Sequence, residues 1–215
     1  MYSNMVKYYD GIWKNTQNSN QPMFLYSQTA IDSYVTLYNQ CQIDTDEKPD
    51  ATSIIQKILA NKARYDSVSN VLLIPWYVIA VIHNMECDLD FTCHLYNGDP
   101  LSARTVDAPT GRPLIGNPPF TWEYSAVDAL KFDGFDHWGD WSISGTCYEL
   151  EKYNGFGYRA FNINSPYLWS GSNLYTTGKF TADGIFSPTA ASDQIGAMTI
   201  LKTMASSGTI QFPSN

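Results

Sequence analysis

Apolar positions recur along this chain mostly at the three-to-four-residue spacing of amphipathic helices. Val6, Tyr9 and Trp13 form one such face near the N-terminus. Ser27 stands before a second, made of Ile31, Tyr34, Val35 and Tyr38, and its hydroxyl can cap that helix. Gln42 to Asp50 (QIDTDEKPD) is the most polar stretch and reads as a loop or boundary. Thr52 or Ser53 then opens a helix with Ile54, Ile55, Ile58 and Leu59 on one side. Ile74-Pro75 marks the entry to the next helix, with proline at its first position, running to about Cys87. Apolar residues lie all round it, as expected of a central buried helix.

Between Phe91 and Phe120 the helical spacing is lost. Asn97-Gly98 is a hairpin turn signal, and Pro100, Pro109, Pro113, Pro118 and Pro119 follow, so a small β-hairpin and a proline-stiffened loop are expected. Helices resume at Thr121, with Glu123 near the positive end of the dipole, and again from about Ser144 to Asn154, where Gly155 supplies the stop. Ser165-Pro166 and Ser187-Pro188 both read as capped helix starts, and Ala182 to Phe186 as a turn before the last helix. That helix presents Ile195, Met198, Leu201 and Met204. The pattern predicts an α+β fold, predominantly α, with a buried central helix and a small β-hairpin. Its 215 residues suit a single domain, 1–50 being a helical N-terminal extension and 51–215 the core.

Composition narrows the partners. A net charge of −8 and a pI near 4.7 argue against gripping nucleic acid phosphates or anionic lipid. Charged residues make up only 16%, beside fifteen Tyr, ten Phe and six Trp, a surface chemistry suited to stacking on sugar rings or packing on partners. Cys41, Cys87, Cys93 and Cys147 are too few for a disulfide scaffold. Cys93-His94 with His83 falls short of a zinc-ligand pattern, so neither metal nor cofactor is expected. Residues 1–30 lack the basic start and apolar core of a signal peptide. The apolar run Val71–Ile82 is shorter than a membrane span and contains Pro75, so no stable membrane insertion is expected. Synthesis in the cytoplasm follows as the expectation.

Glu86 is the first chemical candidate. It closes the apolar helix, near the negative pole of the helix dipole and after a run of apolar neighbours. Both effects disfavour its charged form, which is what a glycosidase general acid requires. A solvated helix-end Glu is the plainer alternative. Asp99 follows the Asn97-Gly98 turn. Inverting glycoside hydrolysis needs a second carboxylate roughly 6.5–9.5 Å from the acid, with a water between. Thr105 offers a hydroxyl to aim that water. Against this, Asp99 is also an ordinary turn residue before Pro100, and Thr105 an ordinary strand residue. His83, three residues before Glu86, reads best as a satisfied core histidine.

Several long runs resemble the lysozyme superfamily, specifically a bacterial and prophage lysozyme group. They are PWYVIAVIHNMEC, HLYNGDPLSARTV, GRPLIGNPPFTWEYSAVDAL, YNGFGYR and INSPYLWSGSNLYTTGKF, about half the chain between Pro75 and Phe180. The resemblance implies a lysozyme-like fold and cleavage of the β-1,4 bond between N-acetylmuramic acid and N-acetylglucosamine. Phage-type lysozymes carry Glu, eight residues, Asp or Cys, five residues, Thr. Asp99 and Thr105 keep the five-residue gap, while twelve residues, not eight, separate Glu86 from Asp99. The roles implied are acid for Glu86, water activation for Asp99 and water positioning for Thr105. A second similarity is to goose-type lysozymes and lytic transglycosylases, with Glu86-Cys87 in place of Glu-Ser and Tyr153-Asn154-Gly155 in place of Tyr-Asn-Ala. Those transglycosylases use one acid and yield 1,6-anhydro ends. A non-catalytic cell-wall or virion binding protein is the third reading. Substrate-binding candidates are His94, Tyr96, Arg104, Trp122, Tyr153, Asn154 and Trp169. Any one aromatic among them is more often core than cleft, and His94 and Arg104 serve equally to brace the hairpin. The implied partner is the peptidoglycan glycan strand. The implied place of action is the periplasm or cell wall after holin-dependent release, or the virion.

Overall fold

The computed structural model describes residues 24–182 and 184–214. The helix expected around Val6 to Trp13 lies outside them. The described chain is predominantly helical, with a small two-stranded antiparallel sheet. It forms two compact units, one of residues 56–139, the other of 24–55 together with 140–214. The first parting falls within a helix, between Ile55 and Gln56, and the second between Gly139 and Asp140. No single helix among the described residues is long and apolar enough to cross a membrane.

The second unit begins with α1 (Gln28–Gln40), capped by Ser27 as its sequence predicts, with Tyr34 and Tyr38 buried. The polar stretch after it is ordered. Gln42 and Asn173 exchange hydrogen bonds, and the Asp44 amide donates to the Gly171 carbonyl at 3.0 Å. The next helix, α2 (Lys48–Ala60), starts about a turn before the expected Thr52 or Ser53. Pro49 and Asp50 explain this: proline fits a first turn and an acid there favours the dipole. Ala51 and Ile58 are its buried residues, whereas Leu59 is exposed.

In the first unit, α3 (Lys62–Leu72) and α4 (Trp76–Cys87) meet at a bend of 115°. Pro75 is the N-cap of α4 rather than its first residue. Every residue of α4 from Tyr77 to Met85, and Cys87, is buried. Each fully buried Val or Ile there contributes roughly 1.5–3 kcal/mol. The next helix, α5 (Trp122–Phe132), is capped by Thr121, and its Glu123 accepts from Arg64 Nε of α3 at 2.5 Å. Tyr65, His83, Phe91 and Trp122 form one aromatic cluster against these helices, with ring centroids 4.5–5.9 Å apart.

The expected hairpin at Asn97-Gly98 reduces to a single antiparallel bridge between Cys93 and Pro100, without strands. Two features stop it extending. Pro100 has no N–H to give to a ladder, and the Asn97 side chain takes the Asp99 amide at 3.0 Å. The sheet lies instead in the second unit, where β1 (Lys179–Ala182) pairs with β2 (Ile185–Ser187). Ser187-Pro188 therefore ends a strand and starts no helix. The hydrophobic pattern there serves an aromatic cluster: Phe161 stacks on Phe186 at 3.9 Å, and Phe180 meets Tyr158 at 5.1 Å.

The remaining second-unit helices are α6 (Ile143–Asn154), α7 (Pro166–Trp169) and α8 (Ala197–Ser206). Ser142 caps α6 and Gly155, at φ +90°, ends it. α1 and α7 both pack on α6, and α8 packs on α7. Ile195, Met198, Leu201 and Met204 are buried as their spacing predicts. Gly196 allows α8 to approach α7 so closely that a Cβ there would lie 2.4 Å from the Leu168 carbonyl. Backbone cannot yield as a flexible side chain can. Gly196→Ala should therefore cost about 1–3 kcal/mol of stability and lower the urea midpoint accordingly, and an unchanged midpoint would show that the approach is not tight.

Candidate active site

Among the residues from Tyr77 to Cys87, Glu86 alone is only partly buried. The chain turns immediately after it. Asp88 and Leu89 adopt left-handed conformations, and their amides close the helix on the Asn84 and His83 carbonyls. His83 braces this turn from inside. Its Nε2 faces the Asp90 carbonyl at 3.1 Å, which can only accept, so Nε2 carries a proton, and Nδ1 lies 3.0 Å from the Tyr65 hydroxyl. Asp90 is fixed too: it accepts from the Thr92 amide and hydroxyl, and these bonds hold its carboxyl below the usual range. Glu86 thus stands between a buried helix and a hydrogen-bonded turn whose Asp88 and Asp90 are exposed.

Asp99 and Thr105 belong to the same unit, and both have structural partners. Asp99 Oδ2 accepts from the Val106 amide at 2.8 Å, the Asp107 amide at 3.2 Å and Asn97 Nδ2 at 2.9 Å. Thr105 is 2% exposed. Its hydroxyl donates to the Pro109 carbonyl and accepts from the Arg112 amide at 2.9 Å. These two residues fold the 97–112 loop on itself. Their side chains are engaged in backbone bonds where the resemblance gives them a water.

The binding candidates divide similarly. His94 is fully buried, with Nε2 on the Ala103 carbonyl at 2.8 Å and Nδ1 on the Ser125 hydroxyl at 2.7 Å. It braces the loop, the plainer of its two expected roles. The Tyr96 hydroxyl donates to Asp128 Oδ2, and Arg112 bonds both, from Nε to Tyr96 at 3.1 Å and from Nη2 to Asp128 Oδ1 at 2.9 Å. Burial, then Asp128, pushes the Tyr96 hydroxyl well above its ordinary range. Arg104 Nη2 donates to the Gly116 carbonyl at 2.6 Å, and its guanidinium lies 5.5 Å from the Phe120 ring. Trp122 is 1% exposed and belongs to the core. In the second unit, Tyr153 and Trp169 are buried, and Asn154 Nδ2 reaches the Ser165 hydroxyl at 3.5 Å.

The sequence reading missed a buried charged cluster in the second unit. Glu151 Oε2 accepts from Tyr34 at 2.7 Å and from Arg159 Nη2 at 2.7 Å, and the same Nη2 lies 2.8 Å from the Tyr34 hydroxyl. The Glu151 side chain is 5% exposed and that of Arg159 31%. Arg159 also lies 3.5 Å over the Phe24 ring. Arg159 stands inside the run YNGFGYR, but Tyr34 is 125 positions away, so no local spacing signals the pair. Among the described residues, no group of three or more His, Cys, Asp or Glu side chains is placed to hold a metal ion.

No family model, curated protein or solved structure matches this chain.

Glu149 is a second missed carboxylate. It is 1% exposed and bonds Lys152 Nζ through both oxygens at 2.9 Å. Burial pushes its carboxyl above the ordinary range, and the Lys152 ammonium pulls it part of the way back. The folded chain therefore holds this proton more tightly than the unfolded chain. Its contribution to stability is complete below the ordinary Glu range and is lost as pH rises through the raised value. The stability of Glu149→Gln relative to wild type should accordingly improve from about pH 4 to about pH 8 in urea titrations. A difference that is flat or falls with pH would contradict this. For the ion pair, Arg159→Met should cost about 3 kcal/mol in the same titration, because it strands the buried Glu151 charge. A loss below about 1 kcal/mol, the scale of an exposed pair, would show that Glu151 is not dependent on Arg159.

Proposed function

We propose that this protein cleaves the glycan strands of peptidoglycan at the β-1,4 bond after N-acetylmuramic acid, with Glu86 as the general acid. The observation that supports this most is the partial exposure of Glu86 at the end of an otherwise buried helix. A carboxyl so placed has an apolar, rigid base and a face toward solvent, the setting in which an acid can keep its proton until a leaving oxygen takes it. In the reaction Glu86 gives its proton to the glycosidic oxygen as the C1–O bond breaks. Positive charge develops on the muramic acid ring, and a nucleophile closes on C1. The overall fold in this reading is lysozyme-like, and the two compact units serve one catalytic protein.

Two nucleophiles are compatible with that acid. In the first reading Asp99 activates a water that Thr105 positions. In the second the 6-hydroxyl of the muramic acid residue attacks C1, passes its proton to the Glu86 carboxylate and leaves a 1,6-anhydro end. The bonds of Asp99 Oδ2 and of the Thr105 hydroxyl to the loop backbone favour the second. The protein would meet its substrate in the periplasm or cell wall, released through a holin, or as part of a virion. Loss of turbidity of outer-membrane-stripped Gram-negative cells tests the proposal. Glu86→Gln should cut the rate at least ~100-fold, while Asp99→Asn, which keeps an oxygen for the loop amides, should stay within about tenfold of wild type. Equal loss in both variants would return the water-activating role to Asp99. No lysis by folded wild type would leave a non-catalytic glycan binder.

Charge adds a separate expectation. With a net charge of −8, the protein and an anionic wall repel one another at long range. Raising ionic strength from low values should therefore speed lysis, and a monotonic fall with salt would contradict an anionic substrate surface.

A further inference from the structure

In the first unit, residues 114–119 are all exposed, and two of them are large aliphatics. Leu114 is 66% exposed and Ile115 78%. The tip that carries them is held in place. The Ile115 carbonyl accepts from the Tyr124 hydroxyl at 3.0 Å, and the Gly116 carbonyl from Arg104 Nη2 at 2.6 Å. Gly116, at φ +81°, makes the turn and lies against Phe120 and Tyr124. Those two rings stack with centroids 6.0 Å apart. Pro113 and Pro118-Pro119 restrict the backbone on either side. Hydrogen bonds and ring stacking thus serve to present two aliphatic side chains to solvent.

Charge and area select the occupant. No charged residue lies between Arg112 and Glu123, so taking the tip out of water strands no charge within it. Two of its carbonyls are already bonded, which lowers the cost further. Burying Leu114 and Ile115 removes roughly 120–240 Å² of apolar surface from water. A stable protein–protein interface takes about 800 Å² from each partner. The tip is too small to hold a second copy or another folded protein. A bilayer needs no matching surface. Aliphatic side chains enter its acyl region singly, while tyrosine and arginine stay at the level of the headgroups. Tyr124, 43% exposed, and Arg104 are the residues that hold the base of this tip.

We propose that the Leu114–Ile115 tip inserts reversibly into the surface of a lipid bilayer, with Tyr124 and Arg104 at the headgroups. The net charge of −8 specifies which bilayer, because anionic lipid repels this protein and zwitterionic lipid does not. Two aliphatic side chains give a weak contact, well short of a spanning segment. The inference uses neither Glu86 nor a glycan, so it stands apart from the hydrolase reading. No bond is made or broken here, and the tip contributes to location and not to turnover.

Co-sedimentation of the full chain with phosphatidylcholine vesicles tests this. Wild type should bind, and Leu114→Ser combined with Ile115→Ser should lower the partition coefficient about hundredfold, the effect of withdrawing two aliphatic side chains. Both positions are exposed, so the urea midpoint of that variant should match wild type. Ile115→Asp alone should also abolish binding, since a charge does not enter the acyl region cheaply. Leu73→Ser, at a leucine of the same unit that is 81% exposed but lies outside the tip, should bind as wild type does. Vesicles containing phosphatidylglycerol should bind less at low salt. The tip is overturned if wild type does not bind, if either tip variant binds like wild type, or if Leu73→Ser loses as much. Tighter binding to phosphatidylglycerol would overturn the zwitterionic surface. A dimer in sedimentation velocity that the double variant abolishes would assign the tip to a second copy and overturn the bilayer. Lysis without vesicle binding removes the tip alone, and vesicle binding without lysis removes the hydrolase alone.

Discussion

The burial of α4 is the constraint on which the first unit depends. Its apolar residues face neighbours on every side, so α3, α5 and the 91–120 loop all have to cover it. That requirement puts Tyr65, Phe91 and Trp122 around His83, whose two ring nitrogens meet the Tyr65 hydroxyl and the Asp90 carbonyl. It also decides what the helix can present. A helix closed by left-handed Asp88 and Leu89 has its last turn fixed, and Glu86 is the side chain that turn offers to solvent. The fixed position of that last turn is a by-product of core packing.

The loop after α4 shows how polar residues replace a ladder. Without strands between Phe91 and Phe120, the backbone amides still need acceptors. Asp99 supplies them at Val106 and Asp107, Thr105 closes the 105–112 turn, and His94 ties the loop to α5 through Ser125. A side chain that holds a loop is not thereby barred from chemistry, but its oxygen is already committed. That commitment, which falls on one of the two Asp99 carboxylate oxygens, supports the single-acid reading proposed above. In the second unit the same economy appears in reverse. There Tyr34, Glu151 and Arg159 bond one another through Glu151 Oε2 and Arg159 Nη2.

Most helices were legible in the sequence because their signals are local. Ser27 and Thr121 are caps, Gly155 is a stop, and Ile195 to Met204 follow a helical period. The strands were not. Phe180 and Phe186 pair through the aromatic cluster with Phe161 and Tyr158, contacts that no short window contains. Asn97-Gly98 gave a true turn but a false hairpin, since a turn signal says nothing about whether Pro100 lets a ladder continue. For the site, the position of Glu86 could be read from the helix pattern and its dipole. The structural duties of Asp99, Thr105 and Tyr96 could not, because they depend on Val106, Arg112 and Asp128 arriving through tertiary folding. The place of Tyr34 in the Glu151–Arg159 cluster was hidden for the same reason.

Purified sacculi, free of membranes and other enzymes, give the most direct test of Glu86 as the acid of a glycan-cleaving protein. Mass spectrometry of the soluble fragments would count new muramic acid ends made by wild type and by folded Glu86→Gln. New ends from wild type and almost none from the variant is the expected result, with 1,6-anhydro ends expected from the single-acid reading. No new ends from wild type, or equal numbers from both proteins, would contradict it.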